Sequence, residues 1–215
     1  MMFVRNCHKK VSMDDSEHIT KYPSYVFEGK VLLLNAPIGC GKDYASDRIS
    51  LALGCKQLEF KAPMFKIAMV MTGLSEGSFF EIYDDRERKE VPQEEFYGLS
   101  PRDFMIWISE DVCKPKFGKE YFGEVAARCS NPHTGTIFSD SGFPEEVSPL
   151  VQKYGAENVY VCQFDRGGSK FESNDSRGFL SREDLPSGVV FLPFMHNDGC
   201  IQDFVNKVTS YVINN

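Results

Sequence analysis

The stretch Lys30-Val-Leu-Leu-Leu-Asn-Ala-Pro-Ile-Gly-Cys-Gly-Lys-Asp43 constrains the fold more than any other part of the chain. Val31 to Leu34 form a continuous apolar run that enters a turn with glycines at 39 and 41. Lys42 leads out of that turn into a segment where Ala45, Ile49, Ala52 and Leu53 recur at helical spacing, and Gly54 follows as a helix stop. Strand, glycine turn and helix in this order make a cradle for an anion. Glycine tolerates the curled backbone that turns consecutive N–H groups inward, and the positive end of the following helix adds to the attraction.

The spacing fits the phosphate-loop template G-x-x-x-x-G-K-[ST] with two departures. Ala36 stands in place of the first glycine and Asp43 in place of the terminal hydroxyl residue. The expected phosphate-gripping residues are Pro37, Ile38, Gly39, Cys40, Gly41, Lys42, Asp43 and Tyr44, with Lys42 reaching the β- and γ-phosphates.

The remaining pattern alternates strands with helices. Gln57 to Phe60 reads as a second strand and Pro63 to Thr72 as a helix with proline in its first turn and Gly73 after it. Residues 74–99 are polar and read as irregular. Ser100-Pro-Arg-Asp103 combines an N-cap hydroxyl, a proline at the first helical position and an acid three residues after the cap. A helix is expected over Glu120 to Cys129, a strand over Thr136 to Asp140, a helix over Pro144 to Tyr154 ended by Gly155, and strands over Asn158 to Phe164 and Val189 to Leu192. Asp198 is expected to cap a last helix with an apolar stripe of Ile201, Phe204, Val205, Val208 and Val212. This order predicts an α/β fold: a P-loop NTPase-like parallel sheet flanked by helices on both faces, with a mobile lid segment at about 165–187, which is rich in Gly, Ser, Asp and Arg. Residues 1–29 read as an N-terminal arm or edge element, 30–215 as the main domain, and about 62–130 as its acceptor-binding region.

Composition narrows the function classes. With 215 residues the chain can bury a core, and a net charge of −7 argues against a protein that binds nucleic acid stably through its backbone. No apolar run approaches the ~20 residues that span a bilayer, and the polar N-terminus lacks a signal-peptide core, so a cytoplasmic protein without a membrane partner is expected. The seven cysteines are scattered without a C-x-x-C pair and read as reduced thiols, mostly buried. The four histidines have no ligand spacing and read as structural, and Phe60, Phe80, Phe96, Tyr97 and Trp107 read as core.

Phosphoryl transfer needs a phosphate cradle, a metal ion and several cations. Asp140, ending a buried strand, is the candidate to hold Mg²⁺, the alternative being a turn cap. Asp43 either coordinates the metal in place of a hydroxyl or neutralises the helix N-terminus. Arg102 lies in the first turn of its helix, Arg86, Arg88 and Lys89 form a basic cluster among acids, Arg166 directly follows the fourth strand, and Arg177 lies within the Gly/Ser-rich segment.

With these residues placed, the chain resembles the bacteriophage deoxynucleoside monophosphate kinases from about residue 30 to 210. The likeness is carried by Gly41-Lys42-Asp43, Ala62-Pro63 with Lys66, Arg86 with Lys89-Glu90 and Pro92, Ser100-Pro101-Arg102, Asp140 followed by Phe143-Pro144-Glu145-Glu146, Arg166, and Asn197-Asp198-Gly199. The resemblance implies transfer of the γ-phosphate of ATP to a deoxynucleoside monophosphate with Mg²⁺, feeding phage DNA synthesis. It makes Lys42, Arg102, Arg166 and Arg177 catalytic candidates and Lys66, Arg86, Lys89, Arg102 and Asp140 acceptor-binding candidates. A homodimer is a further expectation. Gly142 stands where an arginine is expected in this family. Kinases for another small acceptor or for modified DNA, and a non-catalytic nucleotide-binding protein, remain the alternatives.

Overall fold

A computed structural model describes residues 19–172, 175 and 177–214. The expected arm therefore lies largely outside the described residues, which begin just before a single 3₁₀ turn at Ser24–Phe27. The chain divides into two compact units, one formed by residues up to Phe60 together with Gly123 onward, and the other by Lys61–Phe122.

The first unit is built on a six-stranded, all-parallel sheet. Its strands are β1 (Val31–Asn35), β2 (Lys56–Leu58), β3 (Thr136–Phe138), β4 (Val159–Asp165), β5 (Val190–Phe191) and β6 (Met195–His196). They are ordered β2-β3-β1-β4-β5, with β6 also pairing β4. Strand β1 is fully buried because it faces helices on both sides: Leu32 and Leu34 join one apolar cluster, and Val31 and Leu33 the other. The first cluster takes its helical residues from α1 (Lys42–Leu53) and from the final helix at Ile201–Asn214. The second takes them from the helices at Tyr121–Cys129 and Pro144–Tyr154. The predicted parallel sheet flanked on both faces is thus the observed fold, and the stripe Phe204, Val205, Val208 and Val212 is buried as expected.

The second unit is helical. It contains α2 (Ala62–Thr72), α3 (Glu76–Tyr83), α4 (Pro101–Trp107), a wider π turn at Ile108–Cys113 and α5 (Lys114–Phe117), and leads into α6 (Tyr121–Cys129). The helices of the first unit that follow are α7 (Pro144–Tyr154) and α8 (Ile201–Asn214). Ser100 caps α4 as read from the sequence, accepting from the Asp103 amide at 3.1 Å. Helix α3 corrects the reading of 74–99 as irregular. Ser75 caps it, accepting from the Ser78 amide at 3.2 Å, and Phe79 and Phe80 pack edge-to-face on Phe65 of α2 at 5.8 and 5.1 Å. Phe60 and Phe96 are core residues as expected, whereas Tyr97 is 71% exposed.

The strands also differ from the reading: β3 stops at Phe138 instead of Asp140, β5 is limited to Val190–Phe191, and β6 is a further strand beyond the expected last one. β2 begins at Lys56 and stops at Leu58, because the Phe60 amide donates to the Asp140 carboxylate instead of the ladder. β6 is two residues long, too short to carry a period. Of the six described cysteines, all free, Cys40, Cys113 and Cys162 are buried. Burial pushes the Cys55 and Cys162 thiols up to about 12, which leaves them unreactive. Among the described residues no helix is long and apolar enough to cross a membrane.

Candidate phosphate-binding site

The carboxyl end of β1 runs straight into the glycine loop. Gly39 and Gly41 both adopt left-handed φ values, +82° and +81°, which a side chain would strain. Gly41 is the N-cap of α1, its carbonyl accepting from the Ala45 amide at 2.9 Å. The Lys42 ammonium folds back over the loop and donates to the carbonyls of Ala36 and Pro37 at 2.6 and 2.7 Å. Ala36 and Pro37 are buried, while Ile38 is half exposed at the loop crest. Asp43 is exposed in the first turn of α1, beside the positive end of the helix. The Tyr44 hydroxyl accepts from the buried Arg48 guanidinium at 2.7 Å, which fixes the ring on that turn.

The loop is braced from outside by a residue that the sequence reading did not place in the site. Asn197, buried just after β6, donates from its side chain to the Cys40 carbonyl at 3.0 Å, and its amide donates to the Asp165 carbonyl at 2.8 Å. Its neighbour Asp198 does not act as the expected cap of α8. Its carboxylate accepts from the Gly167 amide, and α8 starts at Ile201 with the Cys200 carbonyl accepting from the Asp203 and Phe204 amides. His196, read as having no partner, sits with Nδ1 2.6 Å from the Asp165 carboxylate.

Asp140 lies two residues past β3, buried, with Oδ1 accepting from the Phe60 amide at 2.9 Å. Glu146, in the first turn of α7, is buried near it and accepts from the Phe143 amide at 3.4 Å. Burial, and secondly the Asp140 charge, raise the Glu146 carboxyl well above the ordinary carboxylate range. The described residues contain no group of three or more His, Cys, Asp or Glu side chains suited to a metal ion. Beside Asp140, the Ser139 and Ser141 hydroxyls are buried without a hydrogen-bond partner, and their oxygens can accept from the waters of a hydrated cation.

The segment expected as a lid is tied down in its second half. Asn35, at the end of β1 and fully buried, donates to the carbonyls of Gly178 at 2.9 Å and Ser141 at 3.2 Å. It accepts from the Leu180 amide at 2.9 Å and from Gln163 at 3.0 Å. Leu180 and Leu185 enter the core. Arg177 thereby lies over the turn after β3, bound to Asp175 through Nε at 2.9 Å and a terminal nitrogen at 2.8 Å. Arg166 is exposed directly after β4.

Lys42, Asp43, Asp140, Arg166 and Arg177 thus all belong to the carboxyl end of the first unit's strands. The other candidates belong to the second unit. There Arg102 pairs with Glu90 at 2.8 Å, Lys89 lies 3.9 Å over the Tyr83 ring, Arg88 is 3.7 Å from Glu81, Arg86 is exposed and Lys66 is half-buried on α2.

No protein-family model matches the chain. It is 25% identical over 189 residues, 82% of its own length and 92% of the relative's, to the "Putative deoxynucleotide monophosphate kinase" of Acanthamoeba polyphaga mimivirus. Among solved structures it matches a gluconokinase from Sinorhizobium meliloti 1021 over 86% of this chain and 93% of the other, with 11% identity and a TM-score of 0.42, too low to bear on function.

Proposed function

We propose that the protein is an ATP-dependent deoxynucleoside monophosphate kinase that produces deoxynucleoside diphosphates for DNA synthesis. The observation that carries this reading is the glycine loop: two left-handed glycines, a helix N-terminus and a returning lysine at the end of the central strand. The similarity to the mimivirus protein along most of both chains supports the acceptor class.

In this reaction an oxygen of the acceptor phosphate attacks the γ-phosphorus of ATP, and the bond from that phosphorus to the β–γ bridging oxygen breaks. ADP leaves with the electron pair. The protein's part is to align the two anions and offset charge on the group in flight. Lys42 exchanges one of its two loop carbonyls for a phosphate oxygen, and the loop amides hold the rest of the donor chain. Arg166 and Arg177 neutralise the donor side, and Arg86, Lys89, Arg102 and Lys66 of the second unit are the acceptor candidates. Mg²⁺, when bound, supplies further charge neutralisation, with Asp140 and Asp43 as the carboxylates that would hold it.

The test is ADP release measured against each deoxynucleoside monophosphate, with phosphomevalonate and modified duplex DNA as contrasting acceptors. Turnover is expected with a deoxynucleoside monophosphate, and Lys42→Ala is expected to lower it by a factor on the order of 10² or more with the thermal midpoint retained. Turnover only with another acceptor, or full activity in the folded lysine variant, overturns the proposal.

A further inference from the structure

Gly142 has no need of glycine on backbone grounds, since its φ lies outside the left-handed region. What it lacks room for is a side chain. A Cβ there would come within 2.8 Å of Arg177 Cβ, 2.9 Å of Cγ and 3.1 Å of Cδ, so the arginine stem lies lengthwise across the bare backbone. Contacts under 3.0 Å with stem carbons are not relieved by moving the far end of the side chain.

One residue fixes both halves of this contact. Asn35 holds the carbonyl of Ser141, next to Gly142, and the carbonyl of Gly178, next to Arg177. Asn35 also immediately precedes Ala36 and Pro37, whose carbonyls hold the Lys42 ammonium. The guanidinium of Arg177 and the ammonium of Lys42 therefore hang from the same end of β1. Beyond the stem, the guanidinium presents its fork to Asp175, with two parallel bonds of 2.9 and 2.8 Å, the geometry in which arginine also grips a phosphate.

We propose that Gly142 is a positioning residue that seats Arg177 at the end of β3, and that Asp175 holds the guanidinium fork until a substrate phosphate displaces it. The proposal rests on the phosphoryl-transfer reading above. Without a side chain at 142 the stem keeps one path, so the fork is presented to an incoming phosphate without a search for its rotamer. Asp175 keeps the charge compensated beforehand and competes with the ligand for the same nitrogens.

The test is calorimetric titration of the full chain with ADP and, separately, with a deoxynucleoside monophosphate. For at least one ligand, Gly142→Ala is expected to weaken binding about tenfold or more, and Arg177→Lys, which keeps a stem but loses the fork, to do the same with the fold intact. In an Arg177→Gly background the Gly142→Ala change is expected to cost nothing further. Asp175→Asn, which keeps the shape but not the charge, is expected to tighten the same ligand several-fold. A response to ADP agrees with the donor-side role given to Arg177 above, and a response to the monophosphate alone moves that role to the acceptor side. Arg177→Lys without effect on either ligand overturns the proposal, as does weaker binding in Asp175→Asn or an unchanged Gly142→Ala cost after Arg177 is removed. If Lys42→Ala abolishes ADP binding while these variants do nothing, this proposal alone fails. If ADP binding is absent, or is indifferent to Lys42, the kinase reading fails with it.

Discussion

The glycine loop and the segment from Arg177 to Leu185 both serve the carboxyl end of the same sheet, but they are held there by contacts of opposite range. The loop is closed chiefly by its own neighbours, with one distant brace from Asn197: Lys42 reaches back five and six residues, and Ala45 bonds Gly41. The second segment is held by Asn35, 143 and 145 positions away from Gly178 and Leu180. A locally closed structure survives loss of a distant tie better than one whose hydrogen bonds to the sheet all run to distant residues, as this segment's do to Asn35 of β1 and Gln163 of β4. The two regions should therefore respond very differently to single substitutions.

The largest effect is expected at Asn35. Its side chain makes four hydrogen bonds from a fully buried position, joining β1, β4, the turn after β3 and the segment at 178–180. Asn35→Ala takes this partner from the Ser141 and Gly178 carbonyls and the Leu180 amide, and a loss of about 3–5 kcal/mol is expected from denaturant unfolding. Hydrogen exchange should locate it. The Leu180 amide loses protection first while Ala45 keeps its own. Equal loss at both positions would show that the loop depends on the same tie, and the comparison would break.

This difference in range also explains what the sequence disclosed. The glycine loop, α1, the Ser100 cap and the apolar stripe of α8 follow from residues within a few positions of one another, and each could be read along the chain. The arrangement of Arg177 could not, because nothing near it names Asn35 or Gly142 as its supports. One signal was present: an asparagine ending an otherwise apolar buried strand has to find partners. Helix α3 was missed for another reason. Its Ser75 cap is plain, but its eight residues carry too few turns for a period, and packing on Phe65 decides the matter. Among the site residues, Lys42 was legible from the motif, whereas Asn197 became part of the site only through contact with Cys40 across the fold.

An intermediate effect is expected at Glu146, in the first turn of α7, four residues after Gly142. Its carboxyl is raised by burial and by Asp140, so the folded chain holds a proton there that the unfolded chain releases near the ordinary carboxyl value. Above that value the folded state binds more protons than the unfolded one, and stability falls as pH rises, by about 1.4 kcal/mol per pH unit until the folded group also ionises. Glu146→Gln removes this slope. Unfolding midpoints measured from pH 5 upward should decline for the wild type and decline less for the variant; parallel curves would mean that Glu146 does not keep its proton on folding.

The smallest effect on stability, and the sharpest test of local closure, belongs to Asn197. Asn197→Ala removes one hydrogen bond to the Cys40 carbonyl, and carbonyls tolerate a missing partner better than amides do, so a cost of about 1 kcal/mol is expected. The backbone amide of residue 197 still bonds Asp165, which keeps the chain in place. Ligand affinity is the more sensitive readout. Cys40 lies between the two left-handed glycines, so releasing its carbonyl lets the loop amides wander from the convergent arrangement that a phosphate needs. ADP affinity should fall by a larger factor than the stability loss alone accounts for. A stability loss as large as that of Asn35→Ala would mean that the loop, too, is held from a distance, and that the lysine and glycines close it only once the rest of the sheet has formed.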